Sequence, residues 1–207
     1  MHELLRQLST GFAFSGSVER DAPRFLVHHE CPKTAAHSAR VAREAARVAR
    51  LVGADPVQAE VAGWLHDISA VFPPAGRAEV ARQLGLEVLP EEDAFPMIIH
   101  QKLSTVIARE LFGVSDPAVL SAIGCHTTLK RDASLLDRVL FVADKIEWDQ
   151  PDTAPYLDRV LAGLERSLDQ AALAYLTWMW ESRASLRVVH PWLREAYEQL
   201  SGRSWEG

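Results

Sequence analysis

From about residue 34 onward, apolar residues recur at helical spacing, and no stretch shows the strict alternation of β-branched residues that would compete with it. In HSARVAREAARVARLVG, Val41, Ala45, Val48, Ala49 and Val52 form one apolar stripe, Arg40, Arg43, Glu44, Arg47 and Arg50 cover the rest, and Gly53 supplies a stop. Asp55-Pro56 and Asp116-Pro117 each read as an N-cap followed by proline at the first helical position, opening VQAEVAGWLHDIS and AVLSAIGCH. Ser134 with Asp137 three residues later fits a capping box, so LLDRVLFVADKIE should begin there. A short polar helix is expected around GRAEVARQL, a strong one through PMIIHQKLSTVIARELFG, an unbroken one from Tyr156 to Leu186 after a Pro151 to Pro155 loop, and a last one from Pro191. The expectation is an all-α, single-domain chain: a helix and loop extension over residues 1–33 packed on a helical domain over 34–207.

Composition sets limits on what such a bundle does. At 48% hydrophobic residues in 207, the chain fills a sizeable core, and no run reaches the roughly 18 apolar residues that a membrane span needs. A net charge of -6 leaves no basic field for non-specific nucleic-acid binding, so anything that attracts phosphates must be local. Two cysteines build no disulfide framework, and the first residues lack a long apolar run, which reads as a reduced, cytoplasmic protein.

Within the helical pattern six residues stand out: His37, His66, Asp67, His100, His126 and Asp144, most of them in or beside an apolar face. His100 falls in line with Leu103, Ile107 and Leu111. Asp144 interrupts an almost wholly apolar segment, where an unpaired carboxylate costs several kcal/mol, so it binds a cation or pairs with a basic side chain. On a regular helix the adjacent side chains of His66 and Asp67 diverge by about 100°, which suits two ions bridged by the carboxylate better than one ion chelated by both. Imidazole and carboxylate without thiolate select iron, manganese, cobalt or zinc.

Taken in order, these residues resemble the H…HD…H…H…D signature of the HD-domain metal-dependent phosphohydrolases. The flanks HSARVAREAARVA, AGWLHDIS, AIGCHTT and SLLDRVLFVADKIE are similar to the branch of symmetrical diadenosine tetraphosphate hydrolases, over roughly residues 35 to 175. The resemblance implies a helical bundle around two divalent transition metals, iron first, with manganese, cobalt or zinc as alternatives. His37, His66, Asp67 and Asp144 would hold one ion, and Asp67 would bridge to a second held by His100 and His126, with His66 and Asp67 at the centre of catalysis. The implied reaction is hydrolysis of a phosphoanhydride bond in a nucleotide, most specifically diadenosine tetraphosphate to two ADP. Thr127, Thr128, Lys130, Arg131, Lys102 and Arg40 are the candidate substrate contacts.

The chain departs from that branch where phosphate-binding groups are expected. Ala70 stands where a lysine usually follows the His-Asp pair, HTTLK with Leu129 and Lys130 replaces HTTGR, and Trp148 and Asp149-Gln150 replace a proline and an arginine. These changes keep open another HD activity, such as a nucleotidase or phosphodiesterase. A di-iron oxygenase and a non-catalytic metal- or nucleotide-binding module are the remaining alternatives. His28-His29, beside Cys31, sit in a loop-like segment; His2 and His190 read as surface residues, Cys125 as core packing, and Lys145, next to a ligand position, as either a substrate contact or part of a solvated face. Tyr175, Trp178, Met179 and Trp180 read as core or a homodimer surface before they read as a stack on an adenine ring.

Overall fold

The computed structural model of the chain describes residues 1–148 and 153–205. The Asp149-Gln150 pair and the start of the expected Pro151 to Pro155 loop lie outside the described residues. Among the described residues there are twelve α-helices and no strand: α1 Glu3–Leu8, α2 Val18–His28, α3 Pro32–Val52, α4 Pro56–Leu65, α5 Arg77–Gln83, α6 Pro90–Ala94, α7 His100–Glu110, α8 Pro117–Cys125, α9 Leu135–Ile146, α10 Leu157–Leu164, α11 Leu168–Glu181 and α12 Pro191–Ser201. No helix among them is long and apolar enough to cross a membrane.

The local signals act as written. Asp55 and Asp116 accept hydrogen bonds from the first backbone N–H groups of α4 and α8, each of which starts on a proline. Ser134 Oγ accepts from Asp137 N at 3.1 Å while Asp137 Oδ2 accepts from Ser134 N at 2.9 Å, closing the capping box of α9. Gly53 ends α3 in the left-handed conformation, φ 76°.

The core lies where α3, α4, α8 and α9 meet. Val41, Ala42, Ala45, Val48 and Ala49 of α3 are fully or almost fully buried, and each large apolar side chain removed from water in this way stabilises by about 1.5–3 kcal/mol. The α3–α4 contact is pinned at one point, because a Cβ placed on Gly63 would sit 2.5 Å from Ala42 Cα. Only glycine allows that approach, which brings the C-terminal end of α4 beside His37.

Three segments differ from the sequence reading. The expected helix from Tyr156 to Leu186 breaks after Leu164 and restarts at Leu168, with Ser167 Oγ accepting from Gln170 N; the two halves fold back so closely that a Cβ on Gly163 would meet Ala171 Cα at 2.8 Å. α7 starts at His100, after a run of turns over 96–99, so the histidine opens the helix instead of sitting inside it. Residues 1–31 carry two helices, α3 already begins at Pro32, and Leu5, Ala22, Phe25 and Leu26 join the main core, with α2 against α3 and α4. His28 is the last residue of α2 and His29 caps it, and among the described residues neither joins a cluster of metal-type ligands; His29 Nε2 donates to Leu8 O at 3.0 Å.

Candidate metal centre

α4 ends at Leu65, and the backbone leaves helical geometry at Asp67 (φ -108°, ψ 17°) before a short 3₁₀ turn over Ile68–Val71. This break lets the adjacent His66 and Asp67 side chains converge, with His66 Nε2 3.5 Å from Asp67 Oδ2, where an unbroken helix would splay them apart. Ser69 Oγ donates to His100 O at 2.8 Å, and Ser104 Oγ donates to Ser69 Oγ at 3.0 Å, so the turn is tied to the start of α7.

Three of the four histidines are oriented by the same device. His66 Nδ1 donates to Gly63 O at 2.8 Å, His126 Nδ1 donates to Ile123 O at 2.8 Å, and His100 Nδ1 donates to Met97 O. A carbonyl only accepts, so each Nδ1 carries a proton and each Nε2 is the nitrogen turned toward the other ligand-type groups, free to serve as a metal donor when unprotonated. Among the described residues, His37 Nδ1 is buried with no hydrogen-bond partner.

The Nε2 atoms then face one another: His37 and His66 at 3.2 Å, His100 and His126 at 3.0 Å. Asp67 lies between the pairs, Oδ2 at 3.5 Å from His66 Nε2 and Oδ1 at 3.1 Å from His100 Nε2 and 3.5 Å from His126 Nε2. Asp144 Oδ1 closes the first pair at 3.2 Å from His37 Nε2 and 3.5 Å from His66 Nε2. Two ligand triads result, His37–His66–Asp67 and Asp67–His100–His126, each with its donor atoms within 4.8 Å of one another. Lone pairs opposed at this distance repel unless a proton or a cation lies between them. The nitrogen and oxygen donors and the shared carboxylate therefore fit two divalent metal ions.

The buried imidazoles and carboxylates also shift one another's protonation. Burial opposes a charge on His66, but the carboxylates of Asp67 and Asp144 outweigh it and lift the pKa to about 9. His126 is pushed down to about 4 by burial, with a hydrogen bond to Asp67 opposing the shift and the neighbouring His100 and His66 adding to it. Burial also acts against charge on Asp67 and Asp144, yet both stay well below the usual carboxylate range, held by His66 and the bonded His100 and His126 in one case and by Lys145, His37 and His66 in the other.

The cavity over this centre has a volume of about 180 Å³, and beyond the ligands it is walled by Thr127, Lys145, Glu147, Trp148, Tyr156 and Tyr175. Thr127 Oγ1 stands 3.1 Å from the Nε2 atoms of both His100 and His126. Its backbone N–H donates to Gln101 Oε1 at 3.1 Å, and Gln101 Nε2 donates to Thr128 Oγ1 at 3.1 Å, so a buried amide that the sequence reading passed over fixes the segment after His126. Its position next to His100 was the only available signal.

Other expected contacts are not brought there. Thr128 is buried, with Oγ1 accepting from Gln101 Nε2 and donating to Leu129 O, and Arg131 is exposed; neither lines the metal cavity. Lys102 Nζ binds Glu92 Oε2 at 2.8 Å and Glu87 O at 3.0 Å, and Lys130 Nζ binds Ser121 Oγ at 2.7 Å; both line a separate cavity. Arg40 Nε donates at 3.1 Å to Glu147, which lines the metal cavity. Two readings need correction. Lys145 is not on a solvated face: it is buried, with Nζ 2.6 Å from Asp144 Oδ2 and 3.3 Å from His126 O, because the charge of Asp144 draws it inward. His190 is buried as well, its Nδ1 accepting from Trp192 N at 3.2 Å and its Nε2 donating to Glu92 Oε1 at 3.3 Å. Cys125 is buried, and burial pushes its thiol far up, which suits packing.

A helical bundle with this ligand order defines a class, the HD-domain hydrolases, and the chain belongs to the HD domain family, which residues 34–149 match. It is 48% identical over 146 residues to an uncharacterized protein of Lactococcus lactis subsp. cremoris, covering 70% of this chain and 74% of that one. It is 31% identical over 140 residues to the symmetrical bis(5'-nucleosyl)-tetraphosphatase of Bacillus subtilis (strain 168), covering 66% of this chain and 72% of that one. The crystal structure of a predicted HD superfamily hydrolase involved in NAD metabolism from Clostridium acetobutylicum superposes with a TM-score of 0.80 at 25% identity, over 89% of this chain and 97% of that one.

Proposed function

We propose that the chain is a metal-dependent nucleotide phosphohydrolase that splits diadenosine tetraphosphate symmetrically into two ADP. The observation that carries the reading is Asp67, whose two oxygens face separate histidine pairs, in a chain that resembles curated symmetrical tetraphosphatases. When bound, divalent ions, iron or alternatively manganese, cobalt or zinc, supply Lewis acidity that activates water and offsets phosphoryl charge. The chain's own residues hold and orient. His37, His66, Asp67 and Asp144 form one ligand set and Asp67, His100 and His126 the other, with the Nδ1 protons of His66, His100 and His126 parked on carbonyls. Thr127 Oγ1 stands beside the ligands as a hydrogen-bond donor for a phosphoryl oxygen, and Lys145 adds a buried positive charge to the cavity wall. Because the protein is acidic, attraction of a polyphosphate depends on these local charges.

The withdrawal of Lys102 and Lys130 into another cavity favours a second reading, hydrolysis of a smaller nucleotide that needs fewer phosphate contacts. Chromatography of the products of metal-reconstituted protein separates the two. ADP alone from diadenosine tetraphosphate supports the first reading, and ATP with AMP rejects its register. Brisk mononucleotide hydrolysis with no dinucleotide turnover supports the second.

A further inference from the structure

Arg77, the first residue of α5, is only 6% exposed, yet among the described residues no carboxylate pairs with it. Burial draws its pKa below the usual arginine value, and the negative charge of Asp67 opposes that shift. A buried cation without a carboxylate partner is costly, so its presence points to what its donors hold. Nε donates to Phe72 O at 3.0 Å, and Nη1 donates to Met97 Sδ at 3.8 Å. These acceptors belong to the two segments that aim the Asp67–His100–His126 triad. Phe72 ends the 3₁₀ turn that follows Asp67, and Met97 O is the carbonyl that accepts from His100 Nδ1. Ser69 also ties the turn to α7, but it holds the His100 backbone, whereas the imidazole is aimed from Met97. A guanidinium carries its donors in a rigid fork, so one side chain fixes two acceptors at a set separation; the compact ammonium of a lysine does not.

We propose that Arg77 is a positioning residue of the metal centre: it clamps the end of the turn that carries Asp67 to Met97, and so fixes the aim of His100 Nε2 and Asp67 Oδ1 on one ion position. It lies outside the cavity wall and bonds to neither ligand, so it acts through Phe72 and Met97. The inference rests on the reading of the histidine and aspartate cluster as a two-ion centre. It also differs in sign from a simple charge effect. A nearby cation repels a metal ion, so removing its charge alone tightens binding, whereas removing the clamp loosens it.

Zinc titration of the metal-free protein, followed by calorimetry, tests the clamp. Arg77→Met and Arg77→Lys should each weaken the position formed by Asp67, His100 and His126 by about tenfold or more. In a His126→Ala background, where that position is lost, the same changes should alter zinc affinity by less than about twofold. Isotope-labelled histidine gives a readout that needs no metal: the Nδ1 proton of His100, assigned with His100→Gln, should be held in the unaltered protein and exchange rapidly in both Arg77 variants. If one variant does not fold, the other decides. Equal losses in both backgrounds would make Arg77 a general support of the fold and overturn the proposal, as would unchanged or tighter zinc binding. A His100 proton that stays held in a folded variant overturns it too, and does so even if the unaltered protein takes up no zinc, a result that would sink the two-ion reading by itself.

Discussion

The Nε2 atoms of His37 and His66, on neighbouring helices, face each other at 3.2 Å. That spacing depends on Gly63, three residues before His66, because it sets how closely α4 lies on α3. In an open helix Gly→Ala gains about 1 kcal/mol. Here the added methyl meets the Ala42 backbone.

Gly63→Ala should therefore destabilise the fold by about 2–3 kcal/mol or more and also weaken metal binding, since it spreads the first histidine pair. Denaturant titration with and without metal tests both; a stabilised variant would show that the helix contact has been misjudged.

Two ions per chain are expected after reconstitution, read by elemental analysis, with a rise in melting temperature because only the folded chain assembles the ligands. Asp67→Ala should empty both positions and abolish activity, whereas His126→Ala should mainly empty one. Small and equal losses from the two variants would rule out a shared carboxylate.

Asp144 serves two partners, with Oδ1 toward the histidines and Oδ2 on Lys145. Asp144→Asn should weaken metal affinity and, by leaving the Lys145 ammonium buried without its counter-charge, cost about 3 kcal/mol of stability. Adding Lys145→Met should recover stability without recovering metal affinity. Recovery of both would mean that Asp144 acts only as the partner of Lys145.

Glu92, fully buried, accepts from Leu89 N at 2.8 Å, Lys102 Nζ at 2.8 Å and His190 Nε2 at 3.3 Å. Burial works against its charge, but these bonds hold the carboxyl below its usual 4.5. Stability from a lowered carboxyl is fully present above the unfolded value and lost as pH falls through the folded one. The protein should thus lose stability below about pH 4.5. Glu92→Gln should be less stable at pH 7 by about 2 kcal/mol and show a flatter acid limb. Parallel acid limbs for the two proteins would remove Glu92 from the account.

The positions of most helices and the order of the ligands were legible in the sequence, because both rest on information within a turn or two of chain. Caps at Asp55, Asp116 and Ser134, the stop at Gly53 and the apolar stripe of α3 each act over three or four residues. Six ligand-type residues in a family order needed no fold to be seen. What the sequence could not settle were contacts between distant segments. Gly63 reads as an ordinary helical glycine until α3 is laid against it, and the α10–α11 hairpin is hidden in a continuous helical pattern until Gly163 meets Ala171. Lys102 and Lys145 both flank ligands in the sequence, but Glu92 turns one away from the metal cavity and Asp144 draws the other into its wall. Helical periodicity fixes which residues share a face, whereas the direction of a long charged side chain depends on where the opposite charge lies after folding, and only tertiary structure decides that.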